Sequence, residues 1–168
     1  MLHYIIVFLI SMVPLIELRG AIPYAVGVNN LGGNMNMVVV YILAIIGNML
    51  PVPFIYLFAR KILEWGKDKK FIGKFFTFCL KKGEKAGQKL QKRGSAGLFI
   101  ALMLFVGIPL PGTGAWTGTL GASFLNMGFK KSVLAVICGV LIAGIIMGVG
   151  TYAVKMGMGG IFSLMANA

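Results

Sequence analysis

Glu17 and Arg19 are the two charged residues of this 168-residue chain that fall inside its apolar stretches, beside a Pro- and Gly-containing break. A charge near the bilayer centre costs on the order of 3 kcal/mol on insertion scales, so such groups face a cavity or a partner. At positions i and i+2 they do not face each other on a helix, although an unwound break could bring them together. A carboxylate buried in a membrane can exchange protons with water, which makes Glu17 a candidate proton- or cation-coupling site. Arg19 is a candidate anchor for an anion or headgroup. The plainer alternative is a structural ion pair. Helix N-termini after the breaks, at Gly20 and Gly114, could offer free N–H groups to an anion. Asn48 lies in mid-span and Thr113, Trp116 and Thr117 give a second break a polar, aromatic tip, so these four join the candidate site.

Other chemistry is excluded by what is missing. His3 is the only histidine, which removes His-based metal sites and Ser–His or Cys–His catalysis. Cys79 and Cys138 share no metal-ligand spacing, and one lies in a basic segment while the other lies in an apolar run, so neither a metal site nor a disulfide is expected. Paired acids, a nucleophile motif and a phosphate loop are also absent. The chain reads as a non-enzyme without cofactor or metal.

The elements that must hold these residues are membrane elements. Hydrophobic residues make up 58% of the chain and charged residues 12%, against about 25% charged in soluble domains. The net charge of +12 is concentrated: twelve Lys and Arg and three acids fall within 60–93, for +9. Basic residues flanking apolar runs indicate a cytoplasmic, juxtamembrane segment rather than a nucleic-acid site. Tyr4–Ile10 is apolar but has no Lys or Arg before it and no A-x-A site after it, so this run is expected to stay in the mature protein.

Residues 37–59 and 132–154 are uncharged 23-residue runs, long enough to cross a hydrocarbon core of about 30 Å. Pro51 and Pro53 are expected to kink or loosen the end of the first. Gly144 and Gly148 of the second form a close-packing motif. Two further apolar stretches, 4–28 and 97–125, are each broken in the middle, at Pro14, Gly20 and Pro23 and at Pro109, Pro111, Gly112 and Gly114. Each half is about 15–20 Å of helix, half a membrane. Residues 94–128 cannot supply two full spans and a break, yet basic residues flank them on both sides. A re-entrant hairpin satisfies both facts. Gly20-Ala21 with Gly27 matches Gly114-Ala115 with Gly121, and the same 94-residue offset carries the first span onto the second. One span per repeat turns the second copy upside down, giving an inverted repeat. Within the basic segment, Lys70, Lys74, Thr77 and Lys81 share one helical face and Phe71, Ile72, Phe75, Phe76 and Cys79 the other. That pattern predicts an amphipathic helix on anionic headgroups.

The segments Glu17-Leu18-Arg19-Gly20-Ala21-Ile22-Pro23 and Gly107-Ile108-Pro109-Leu110-Pro111-Gly112-Thr113-Gly114-Ala115 resemble the small multidrug export protein family of bacterial and archaeal membrane proteins, over essentially the whole chain. That family in turn is similar to the DedA membrane proteins, whose paired re-entrant hairpins are implicated in lipid-carrier translocation and proton-dependent transport. Glu17 matches the acidic residue of the DedA-like first hairpin. The arginines of its second hairpin are replaced here by Gly, Thr and Ala, which argues against a phosphate-lipid substrate.

The expected architecture is an all-α integral membrane protein of two inverted repeats. Repeat 1 covers 1–59, with hairpin 4–28 and transmembrane helix 37–59. Residues 60–93 form the connector. Repeat 2 covers 94–155, with hairpin 97–125 and transmembrane helix 132–154, and a tail follows at 156–168. The expected function is proton- or ion-coupled export of a small amphipathic or lipid-like substrate across a prokaryotic plasma membrane, by a homodimer. A lipid flippase or scramblase and a non-transporting scaffold are the rival readings.

Overall fold

The computed structural model describes residues 1–66, 95–110 and 112–166. Pro111 and nearly all of the basic connector, including its amphipathic stretch, lie outside the described residues.

Seven helices succeed one another among the described residues: α1 Leu2–Met12, α2 Glu17–Asn30, α3 Met37–Met49, α4 Pro51–Gly66, α5 Ser95–Gly107, α6 Ala115–Phe124 and α7 Phe129–Ala166. The protein is all-helical, with two stretches long and apolar enough to span a membrane, Met37–Ala59 and Phe129–Gly157. The first comprises α3 and the start of α4, which meet at Leu50. Leu50 keeps helical angles and its N–H still reaches Ile46 O at 2.9 Å. Pro51 and Pro53 lack N–H donors, so the helical hydrogen-bond ladder is interrupted there. The second span lies in one continuous helix, which runs past 155 to Ala166 and takes in most of the segment read as a tail.

The broken stretches are pairs of short helices, α1–α2 and α5–α6. In each, the leading helix packs along a neighbouring span, α1 on α3 and α5 on α7. The two contacts are built alike. A Cβ at Gly47 of α3 would lie 2.7 Å from Phe8 O and would strike Ser11, while a Cβ at Gly139 of α7 would lie 2.7 Å from Met103 O and 2.6 Å from the Val106 Cβ. Only glycine lets the backbones approach so closely. The returning helices cross over: α2 packs on α7, and α6 packs on α4.

Cross-links between elements fix the levels. Tyr4 of α1 accepts the Asn36 N–H at 2.7 Å, and Asn29 Nδ2 donates to Met35 O at 3.0 Å. The α1–α2 pair therefore begins and finishes at the end of the bundle where α3 starts. Tyr56 donates to Met127 O at 2.5 Å, stacks edge-on against Phe129, and its own carbonyl accepts from Ser123 at 3.2 Å. The α6 end thus returns to the level where α7 begins, and Gly107, at the far end of α5, lies against Ile142, half-way along the apolar span Phe129–Gly157 of α7.

Gly144 and Gly148 pack against Tyr41. Its hydroxyl donates to Gly144 O at 3.2 Å, and a Cβ at Gly148 would fall on the Tyr41 oxygen. The motif thus seats an aromatic ring of α3 on α7. The core is formed by Leu18, Ile22, Val40, Val106, Val136 and Val140 with small residues between them.

Candidate functional site

The break between α1 and α2 spans residues 13–16 and requires left-handed backbone at Leu15 (φ 70°), continuing at Glu17 (φ 53°). Neither is glycine, so each position carries a conformational cost of about 1–3 kcal/mol unless its surroundings hold it. Pro14 lies in this break. Gly20 does not mark the helix start, which falls one turn earlier at Glu17; instead a Cβ at Gly20 would run into Ile16. Pro23 is likewise inside α2 rather than at its break. A helix interior tolerates it here because apolar packing surrounds that turn and the freed carbonyl, that of Arg19, lies next to the break.

The second break is longer and follows the sequence reading more closely. It runs from Ile108 to Gly114, with Pro109 within it and positive φ at Gly112 (82°) and Gly114 (141°). The α6 helix starts at Ala115, with Gly114 as its N-cap.

Glu17 and Arg19 each find their partners in this second break. The Glu17 carboxylate is buried, 3% exposed, and its two oxygens accept the backbone N–H groups of Ala115 and Trp116, both at 3.1 Å. These are first-turn amides of α6, which have no partner within their own helix. A carboxylate at that end also meets the positive pole of the helix. Gly114 makes the approach possible, because a Cβ there would land on the Glu17 carboxylate. Arg19 reaches the opposite pole. Its Nη1 donates to Leu110 O at 2.6 Å, and its Nη2 lies 3.2 Å from Val106 O, 3.3 Å from Ile108 O and 2.9 Å from the Thr113 hydroxyl. The cation meets the Val106 carbonyl of the last turn of α5 and two carbonyls of the loop that follows it. Thr113 closes the turn, its hydroxyl 2.9 Å from Ile108 O and 2.8 Å from Leu110 O. One short stretch of the first pair thus holds both ends of the second pair's break.

The remaining candidates fall around this junction or apart from it. Trp116 joins through its backbone, while its indole Nε1 is buried without a hydrogen-bond partner, as is Arg19 Nε. Thr117 lines an apolar cleft between α5 and α6 with Leu102, Phe105, Gly121 and Leu125. Asn48 is 2% exposed on α3 and its Oδ1 has no partner. No hydrogen bond ties it to the Glu17–Arg19 junction. The sequence reading marked the N–H groups after Gly114 as a site for an anion but not Glu17 as that anion, and it passed over the carbonyls that meet Arg19, since backbone groups carry no residue-type signal. Among the described residues no group of His, Cys, Asp or Glu could hold a metal ion.

Two long apolar helices, paired short helices and a charged junction of hydrogen-bonded helix ends define a helical membrane protein. Its residues 17–146 match the model of the putative small multi-drug export protein family, and the chain belongs to that family. The match begins at Glu17 and takes in both breaks. No curated protein and no solved structure matches the chain.

Proposed function

We propose that the protein is a coupled exporter of small amphipathic or lipid-like molecules, in which Glu17 is the coupling carboxylate at a joint between two re-entrant hairpins. The observation that carries this reading is the contact of Glu17 with the α6 N-terminus. A titratable group is the tie between the two halves. An ionised carboxylate accepts both amides, whereas a protonated one has an O–H donor facing them and loses one acceptor site. Protonation weakens the tie and lets α6 move relative to α2, which is the step that alternating exposure of a midplane cavity needs. Arg19 serves as a structural charge, because both its Nη groups are engaged by carbonyls and a hydroxyl of the chain itself. The family's description as an exporter supports the class of activity.

Several features support an inverted repeat. The Gly47 and Gly139 contacts are alike, the returning helices exchange partners, and the helix pairs start and finish at opposite ends of the bundle. In the prokaryotic plasma membrane the 60–93 segment is cytoplasmic, rests on anionic headgroups, and fixes the orientation. A homodimer would shield the exposed apolar helix faces around the breaks.

The test is reconstitution in liposomes loaded with a pH-sensitive dye, using NBD-labelled dodecanoate and dodecylamine as probes. The expected result is probe movement that responds to an imposed pH gradient and is lost in Glu17→Gln. If Glu17→Gln moves the probe with the same gradient dependence as the native protein, Glu17 is not the coupling group. Redistribution that ignores the gradient altogether would identify a scramblase.

A further inference from the structure

The end of the bundle away from Lys130 and Lys131 contains a cavity that the reading above does not use. It lies between α2, α3 and α7 and has a volume of ≈ 320 Å³, within the roughly 300–1,000 Å³ of small-molecule sites. Its inner wall is apolar, formed by Ile22, Val26 and Met37, and the more exposed Asn30 and Lys155 lie at its rim. An open groove adjoins it, sharing Tyr41, Gly148 and Tyr152 and continuing over Ile145, Val149 and Met156. These last three are each about two-thirds exposed, and with Tyr152 they follow one stripe at helical spacing. Gly148 makes the junction, since any side chain there would collide with Tyr41 and close the passage between the two compartments.

The shape and charge of this pair of compartments are specific. One is a small chamber with a cation and an amide at its mouth; the other is an apolar track along a membrane-facing helix. Among the described residues Lys155 is the only charged one lining either. Among the described residues no carboxylate lines the chamber, and Glu17 is engaged with α6. A single ammonium matches a single negative charge, and aromatic hydroxyls beside it suit the interfacial level of a bilayer. We infer that this is a binding site for a monoanionic amphiphile, whose carboxylate or phosphodiester head meets Lys155 and Asn30 while its chain lies along the Tyr152–Ile145 track. The site is separate from the Glu17 junction, and its test reads binding, so it stands or falls apart from the transport reading.

The experiment is equilibrium binding of radiolabelled dodecanoate to the full chain in phosphatidylcholine nanodiscs. Saturable binding of one dodecanoate per chain is expected. Lys155→Gln should weaken it about fivefold, the effect of one interfacial lysine charge, and Lys130→Gln at the other end should leave it unchanged. Gly148→Val should reduce binding by blocking the junction, and Tyr152→Ala should reduce it by removing the shared wall. Competition by phosphatidylglycerol would identify a membrane lipid as the source of the head, and its absence a free fatty acid; both support the site. Acetate or dodecanol competing as well as dodecanoate would overturn it, because then head or tail alone suffices. Equal weakening by Lys155→Gln and Lys130→Gln would also overturn it.

Discussion

Replacing Glu17 tests whether the junction between the two broken stretches is held by a charge. Glutamine keeps one carbonyl oxygen for Ala115 or Trp116 but turns an NH2 group toward the other amide. The loss is one charge-assisted hydrogen bond, about 1.5–3 kcal/mol, and the interaction with the α6 dipole, about 0.3–2 kcal/mol. Together these destabilise the fold by about 2–5 kcal/mol. For a chain of this length that corresponds to a fall in Tm of about 4–20 °C, read in detergent by size-exclusion thermostability. Alanine leaves both first-turn amides without an acceptor and should cost more. Gly114→Ala adds a second check, because its methyl would meet the carboxylate. In a Glu17→Ala background that clash is relieved, so the two effects should be non-additive by at least about 1 kcal/mol. A Glu17→Gln protein that melts within about 1 °C of the native chain would refute the argument.

Three other outcomes follow from the same geometry. Arg19→Lys replaces a planar fork that reaches four oxygens with a single ammonium, and should lower stability by about 1–3 kcal/mol in the same assay. Asn48→Leu removes a buried polar group whose Oδ1 has no partner and should be neutral or stabilising if the residue only packs; a loss of probe movement in liposomes without loss of Tm would instead assign Asn48 to the transport path. With Cys79 and Cys138 replaced by serine, cysteines at Ala96 and Lys130 should react with an impermeant maleimide from the same face of the membrane, and one at Asn34 from the opposite face. Labelling of positions 96 and 130 from opposite faces would exclude the re-entrant reading of α5–α6.

The long apolar runs made both spans legible, and the composition made the membrane class legible. The positions of the breaks were legible where glycine or proline marks them, as at Pro109, Gly112 and Gly114. They were less so in the first stretch, where Leu15 and Glu17 adopt left-handed backbone that no propensity favours. Pro23 misled in the opposite direction: it reads as a breaker yet sits inside α2. Glu17 and Arg19 stood out as charges in an apolar setting, but their partners could not be read. Apart from the Thr113 hydroxyl, those partners are main-chain groups more than 85 residues away, selected by tertiary packing rather than by side-chain type. The Gly144–Gly148 pair shows the same limit, since its spacing indicates close packing but not that an aromatic ring fills the gap.

The capping of the second break by side chains of the first also bears on how the chain is made. Glu17 and Arg19 emerge from the ribosome roughly a hundred residues before the amides and carbonyls that neutralise them. Until Trp116 has been synthesised, the first half carries two charged groups in an apolar stretch without the hydrogen-bond partners they have in the folded protein. The N-terminal half is therefore not a self-sufficient insertion unit, and the second broken stretch completes it from within the same chain. Fragments 1–93 and 94–168 expressed separately should each be degraded, and expressed together they should rescue one another.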